Sequence, residues 1–205
     1  KPVLQICDKF DEINFDKLPN SFVIKCNHGC KWQYIIKDKE KFLHNKHLFD
    51  IVKQNITGWI EQEYWCWGGF EMQYKNINPI IIIEEFLENK NNNEQRIEVY
   101  CFNGIPKLLI RFHDNNKITV FNEKVEVIDD IFGFRDTKIN FIADNLINQS
   151  FILSKRLAKN FIFVRIDWFL FNQKLFFEEM TFTPYSGFHN FSKKGNKQLG
   201  NLINL

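Results

Sequence analysis

A chain of 205 residues can bury one substantial core or fold as two small lobes that share a cleft. Hydrophobic residues make up 44% and charged residues 25%, the balance of an ordinary soluble domain. A net charge of +2 gives no electrostatic case for binding nucleic acid or an anionic membrane. The longest aliphatic run, Ile80–Ile83, is far too short to span a bilayer.

Lys1-Pro2-Val3 carries no signal-peptide pattern, so a cytoplasmic location is the default expectation. The five cysteines, Cys7, Cys26, Cys30, Cys66 and Cys101, are scattered and include no CxxC. They read as reduced thiols rather than as a zinc site.

In chain order, Phe22–Cys26 reads as a short buried strand. The turn Asn27-His28-Gly29 breaks it, and Trp32–Ile36 resumes an extended pattern, giving a hairpin with a bent tip. Lys37–Lys41 reads as a charged turn, and apolar residues recur at helical spacing from Leu48 to Trp59. Pro79–Leu87 is a continuous apolar run closed by Glu84 and Glu85, the pattern of a strand buried on both faces.

After the polar loop Glu88–Gln95, Ile97–Phe102 alternates, Asn103-Gly104 turns the chain and Lys107–Phe112 returns. A second pair, Lys117–Phe121 and Lys124–Ile128, is joined by Asn122-Glu123. Asn145–Asn160 reads as a helix with Ile147, Phe151, Leu153 and Leu157 on one broad apolar face. Phe161–Leu170 and Lys174–Met180 form the last hairpin, turned at Asn172-Gln173. This order defines an α+β protein with at least one antiparallel sheet.

The chemistry concentrates in the last hairpin. Alternation puts Phe163, Arg165 and Asp167 on one face of the first strand and Glu179, Thr181 and Thr183 on one face of the second. Asp167 and Glu179 can therefore reach one point in space. Two close carboxylates repel unless a cation lies between them, and hard oxygen ligands suit Mg²⁺ with phosphate oxygens. The same pattern also fits a polar sheet face with an Arg–Asp ion pair.

Lys25 is a charge in an apolar strand and requires a partner. The Asn27-His28-Gly29 turn beyond it can aim backbone N–H groups at an anion. Trp59, Tyr64, Trp65 and Trp67, near Gly68-Gly69, form an aromatic cluster that suits packing or a sugar-stacking platform.

Five segments, in this order, resemble the TupA-like ATP-grasp proteins of teichuronopeptide and surface-polysaccharide biosynthesis. They are SFVIKCNHG (Ser21–Gly29), Asn76–Leu87, CFNGIPK (Cys101–Lys107), FVRIDW (Phe163–Trp168) and EMTFTPYSGF (Glu179–Phe188). The resemblance runs from Lys1 to about Phe191. It implies an ATP-grasp fold, two lobes whose antiparallel sheets clamp the nucleotide, divided as residues 1–85 and 86–205 with a shortened N-terminal part.

The activity implied is an ATP- and Mg²⁺-dependent carboxylate–amine ligase, working through an acyl phosphate on a capsule or surface-polysaccharide precursor. A kinase of the same fold acting on a sugar-linked substrate, or a weakened nucleotide-binding protein, are the alternatives. By position, Lys25 would contact the α/β phosphates, with His28 and Gly29 in the phosphate loop. Glu84, Glu85 and Leu87 would form the adenine hinge and Glu88 would meet the ribose. Lys107, Arg111 and Arg165 would handle phosphate or carboxylate, and Asp167, Glu179 and Thr181 would hold magnesium.

The partners implied are ATP, a carboxylate (small or sugar-linked) and an amine, with no nucleic acid and no membrane span. Besides the shortened N-terminal part, three departures stand out. The family's His-Gly-Ser-Gly-Trp loop reads His28-Gly29-Cys30-Lys31-Trp32 here, losing a glycine where φ > 0 is expected. Tyr185 stands where the family has Gly, and Arg96-Ile97-Glu98 replaces an Asp-Tyr-Lys-like stretch.

Overall fold

The computed structural model describes residues 1–67, 71–88, 96–113, 117–132 and 144–203. The chain divides into two compact units, Lys1–Glu88 and Asn89–Leu205. Among the described residues no helix is long and apolar enough to cross a membrane.

The first unit contains β1 (Val3–Cys7), β2 (Phe22–Cys26), β3 (Gln33–Ile36), α1 (Lys39–His44), α2 (Lys46–Ile60), α3 (Tyr64–Trp67) and β4 (Ile81–Glu85). Its four strands form an antiparallel sheet in the order β1-β4-β2-β3. The expected hairpin and helix are present. The charged stretch expected to be a turn instead opens α1, because the Asp38 side chain accepts from Lys41 N–H at 3.1 Å and caps it.

Phe22, Ile24, Ile36, Ile81 and Ile83 pack with Phe10, Phe42, Val52 and Ile56 in one core. The opposite sheet face carries Val23, Lys25 and Ile82, with Ile6 (62% exposed) and Ile35 (49% exposed) at the sides. On β4, Ile81 and Ile83 are buried on the helix side, while on the other side Glu84 is buried and Ile82 half-buried.

The second unit contains β5 (Arg96–Phe102), β6 (Ile105–Phe112), β7 (Ile118–Asn122), β8 (Val127–Ile128), α4 (Asn145–Ala158), β9 (Phe163–Phe171), β10 (Lys174–Thr181) and α5 (Lys193–Gly200). Its antiparallel sheet runs β10-β9-β5-β6-β7-β8. The turns at Asn103-Gly104 and Asn172-Gln173 hold both residues at positive φ, which matches strand twist in a two-residue hairpin. At Gly104 a side chain would also approach the Lys159 carbonyl oxygen to 2.9 Å. β8 keeps only two residues of the strand expected over Lys124–Ile128, because Asn122 Oδ1 accepts from Lys124 and Glu126 N–H and extends the turn.

α4 covers one face of this sheet. Its buried positions are Ile147, Ser150, Ser154 and Ala158, while Leu157 is 39% exposed. The expected apolar face is therefore rotated. Small residues let the helix seat over Trp168, whose Nε1 donates to Ser154 Oγ at 2.8 Å. The opposite face holds Tyr100, Phe102, Leu108, Ile110 and Val120 under Phe132 and Leu199 of α5.

Candidate functional site

The acidic and cationic groups of the second unit form one row across three strands. An extra residue in β10, between Phe177 and Glu179, resets its register so that Glu179 stands opposite Asp167 and Thr181 opposite Arg165. On the other side of β9, β5 places Glu98 opposite Asp167 and Tyr100 opposite Arg165. All of these side chains share the sheet face away from α4. The sequence-based pairing of Asp167 with Glu179 on one face thus agrees with the strand register.

Asp167 is fully buried and is held from two directions. Arg165 donates through Nε to Oδ1 at 2.7 Å and through Nη2 to Oδ2 at 2.6 Å, a two-point clamp. Arg96 Nη2 donates to the same Oδ2 at 2.8 Å. Arg165 Nη2 also donates to Thr181 Oγ1 at 3.2 Å and lies 3.6 Å from Glu179 Oε1. Thr181 Oγ1 donates to Glu179 Oε1 at 3.1 Å.

Glu98, also fully buried, lies 2.9 Å through Oε1 from Arg96 Nη2 and 3.8 Å through Oε2 from Arg165 Nη1. The first distance is that of an ion pair, but the geometry is not that of a hydrogen bond, and Oε1 and Arg96 Nε have no hydrogen-bond partner.

The electrostatics follow from this packing. Burial would lower the Arg165 pKa, but its hydrogen bonds to Asp167 and the charges of Glu98 and Asp167 outweigh it and leave it raised. Burial pushes Glu98 up to about 7, with Arg165 opposing and Asp167 adding to the rise. Burial, then the negative charge of Asp167, raises Glu179.

Three carboxylates against two guanidinium groups leave a formal surplus of one negative charge, and Glu179 bears part of that repulsion. The oxygen set of Asp167, Glu179 and Thr181 fits a hard divalent cation in chemical kind. Among the described residues no cluster of three or more His, Cys, Asp or Glu could hold a metal alone. Such an ion would complete its coordination with phosphate oxygens and water, the usual habit of Mg²⁺.

Lys107 and Arg111 do not join this row. Arg111 pairs with Ile97 and Thr119 on the neighbouring strands, which places it on the α4 face, where Nη1 donates to Asp144 Oδ2 at 2.6 Å. Lys107 donates to Glu123 Oε1 at 3.1 Å. Lys107 and Glu123 instead line a cleft between β6, β7 and α5, together with Lys194. Arg96, Glu98 and Tyr100 are the residues that sequence reasoning did not assign to the site. The alternation Arg96-x-Glu98 was the only local signal, and the register that sets it beside Asp167 is long-range.

In the first unit, Lys25 Nζ lies 2.6 Å from Glu84 Oε1 on the sheet face away from the helices. Lys25 thus has the partner that its apolar setting demands. Glu85 and Glu88 are exposed, Leu87 is half-buried, and Glu85 N–H donates to the Pro2 carbonyl at 3.0 Å.

His28 turns inward. Its Nε2 lies 2.9 Å from the Trp59 carbonyl oxygen, and burial lowers its pKa against the opposing backbone hydrogen bonds of Trp59 and Gln62. Its side chain ties the loop to the end of α2. At Gly29 an added Cβ would overlap the Trp32 ring, so this loop needs glycine for packing.

Trp32 stacks on Trp59 at 5.8 Å and Tyr34 on Trp59 at 5.5 Å, joining the hairpin to α2. Trp67 is 82% exposed, and Gly68-Gly69 lie outside the described residues. Lys31 (φ 62°) and Tyr185 (φ 53°), the two positions where glycine was expected, both adopt the left-handed conformation. Tyr185 sets its ring 6.0 Å from the Arg165 guanidinium.

The fold is of the ATP-grasp class. It is similar to D-alanine–D-alanine ligase from Bacillus anthracis complexed with ATP, with a TM-score of 0.53 and 15% identity over 97% of this chain and 56% of that one. An L-amino acid ligase from Bacillus licheniformis aligns with a TM-score of 0.48 and 11% identity, over 88% of this chain and 38% of that one. The chain thus spans a little over half the length of the D-alanine–D-alanine ligase. No curated protein matches it. The chain belongs to the TupA-like ATPgrasp family, whose model matches residues 1–204.

Proposed function

We propose that this chain carries the ATP and Mg²⁺ sites of a ligase that joins a carboxylate to an amine on a surface-polysaccharide precursor. The observation that carries this reading is the pairing of Asp167 and Glu179 on neighbouring strands, with Arg165 on the same face. Asp167, Glu179 and Thr181 would hold the cation. When bound, Mg²⁺ would neutralise the phosphate charge that grows during transfer. Lys25 would leave Glu84 to meet the α/β phosphates. The backbone from Glu84 through Glu85 to Leu87 would receive adenine beside the apolar face of Ile82 and Val23, with Glu88 at the ribose.

The chemistry balances in two displacements. A substrate carboxylate oxygen attacks the γ-phosphorus of ATP and ADP leaves. The amine nitrogen then attacks the acyl carbon, inorganic phosphate leaves and the nitrogen gives up a proton. Arg165, charged throughout, would stabilise negative oxygen beside Asp167. No side-chain nucleophile is needed; the gain comes from positioning and charge.

The experiment is to screen carboxylate and amine pairs, including uronic acids and amino acids, for ADP and phosphate release. Release that requires both partners supports ligation. ADP formation with phosphate retained on the acceptor would show a kinase instead, and a screen with no ADP formation while Mg·ATP binds would leave only a nucleotide-binding protein.

A further inference from the structure

We propose that Glu98 is a positioning residue for cation loading: it holds Arg96 on the sheet when Asp167 exchanges its guanidinium partners for a divalent ion. The inference rests on the reading of Asp167 and Glu179 as the metal pair. Both Asp167 oxygens are capped in the protein described here, Oδ1 by Arg165 and Oδ2 by Arg165 and Arg96 together. A doubly charged cation on Asp167 would meet these guanidinium charges at close range and be repelled. At least one arginine must give way.

Arg96 is placed to do so. A single nitrogen, Nη2, bridges Asp167 Oδ2 at 2.8 Å and Glu98 Oε1 at 2.9 Å. Its Asp167 bond is a hydrogen bond, while its Glu98 pairing is not aligned as one and leaves Oε1 without a donor. A small rotation of the guanidinium would trade the first for the second. Arg165 has two-point geometry on Asp167, and its distance to Glu98 is 3.8 Å, so it has more to lose. Glu98 has no exposure to solvent, so water cannot neutralise its carboxylate, and this buried charge retains the partly exposed Arg96 guanidinium as its partner once the bond to Asp167 is released. The carboxylate at this position therefore does for the displaced cation what Asp167 does before loading.

Mn²⁺ serves as the probe, its binding to the whole chain read by electron paramagnetic resonance in the presence of a non-hydrolysable ATP analogue. Glu98→Gln removes the alternative partner, and Mn²⁺ affinity is expected to fall by about tenfold, the usual effect of losing a group that orients a metal ligand. Arg96→Gln frees Asp167 Oδ2 and is expected to tighten Mn²⁺ binding severalfold. The double variant Arg96→Gln/Glu98→Gln should recover at least wild-type affinity, because the group Glu98 restrains is gone.

A general structural role for Glu98 predicts losses in both single variants that add in the double, and that pattern overturns the proposal. Arg96→Gln alone decides the matter if Glu98→Gln does not fold: unchanged or weaker binding overturns it. Asp167→Asn separates the underlying reading. If that variant binds Mn²⁺ as tightly as the wild type, the metal site itself is elsewhere and both claims fall; if binding is lost and Arg96→Gln shows no gain, only the role of Glu98 falls.

Discussion

Replacing Lys31 by glycine should stabilise the first unit, although it deletes a side chain. Lys31 sits at φ 62° between Gly29 and Trp32, with its carbonyl accepting from Gln33 N–H at 2.9 Å. An L-residue in the left-handed region is disfavoured by roughly 1–2 kcal/mol because Cβ crowds the following carbonyl. Glycine removes that cost but adds unfolded-chain freedom worth about 0.5–1 kcal/mol. The side chain is exposed, so little burial is lost.

The net expectation is a gain of about 0.5–1 kcal/mol, which for a chain of this size raises Tm by about 1–4 °C. Differential scanning calorimetry of wild type, Lys31→Gly and Lys31→Ala measures it. Alanine keeps the Cβ and should stay within about 0.5 kcal/mol of wild type, as exposed substitutions do. An alanine variant as stable as the glycine variant would show that charge, and not backbone conformation, is responsible. A glycine variant less stable than wild type would refute the argument outright.

Gly29→Ala should cost about 1–3 kcal/mol through overpacking against Trp32, read as a lower urea midpoint with a changed near-ultraviolet circular dichroism signal. Ser154→Ala leaves Trp168 Nε1 buried without an acceptor and should cost about 1–3 kcal/mol, whereas substitution of exposed Leu157 by Ala should be near neutral in the same urea titration. Glu98 supplies a pH dependence. Its folded pKa of about 7 lies above its ordinary value of 4.5, so between these values the folded state binds more protons than the unfolded one. Stability from this group is therefore present below pH 4.5 and lost as pH rises through about 7. Thermal unfolding from pH 5 to 8 should show Glu98→Gln gaining on wild type as pH rises; a constant gap would contradict this.

Much of the fold was legible because its signals are local. The turns at Asn103-Gly104 and Asn172-Gln173 and the alternation beside them give the two long hairpins directly. β1 was not legible: Val3, Leu4 and Ile6 are exposed on an edge strand whose pairing with β4 spans most of the unit. α5 was missed because its sequence is polar, and its seating depends on Gly195, where a Cβ would collide with the Ile131 carbonyl. The face of α4 was misjudged because apolar content favoured Leu157, while close approach to Trp168 selects the small Ser150 and Ser154.

The same division holds at the candidate site. Asp167 and Glu179 lie on one hairpin, so alternation and a turn suffice to bring them together. Glu98 joins them only through the β5–β9 register, and Arg111 departs to the α4 face through the β5–β6 register. Neither register is set by neighbours in sequence. The positions where glycine was expected kept their left-handed backbone with Lys31 and Tyr185 in place. The local geometry is thus maintained against side-chain preference, as happens when surrounding structure over-determines it.

The central claim is that Asp167 and Glu179 bind ATP through magnesium. Isothermal titration of ATP into the protein, with and without Mg²⁺, tests it most directly, using wild type, Asp167→Asn and Glu179→Gln. The account predicts Mg²⁺-dependent binding in the wild type and loss of that Mg²⁺ dependence in both variants. Binding that is absent in the wild type, or equally Mg²⁺-dependent in all three proteins, would contradict it.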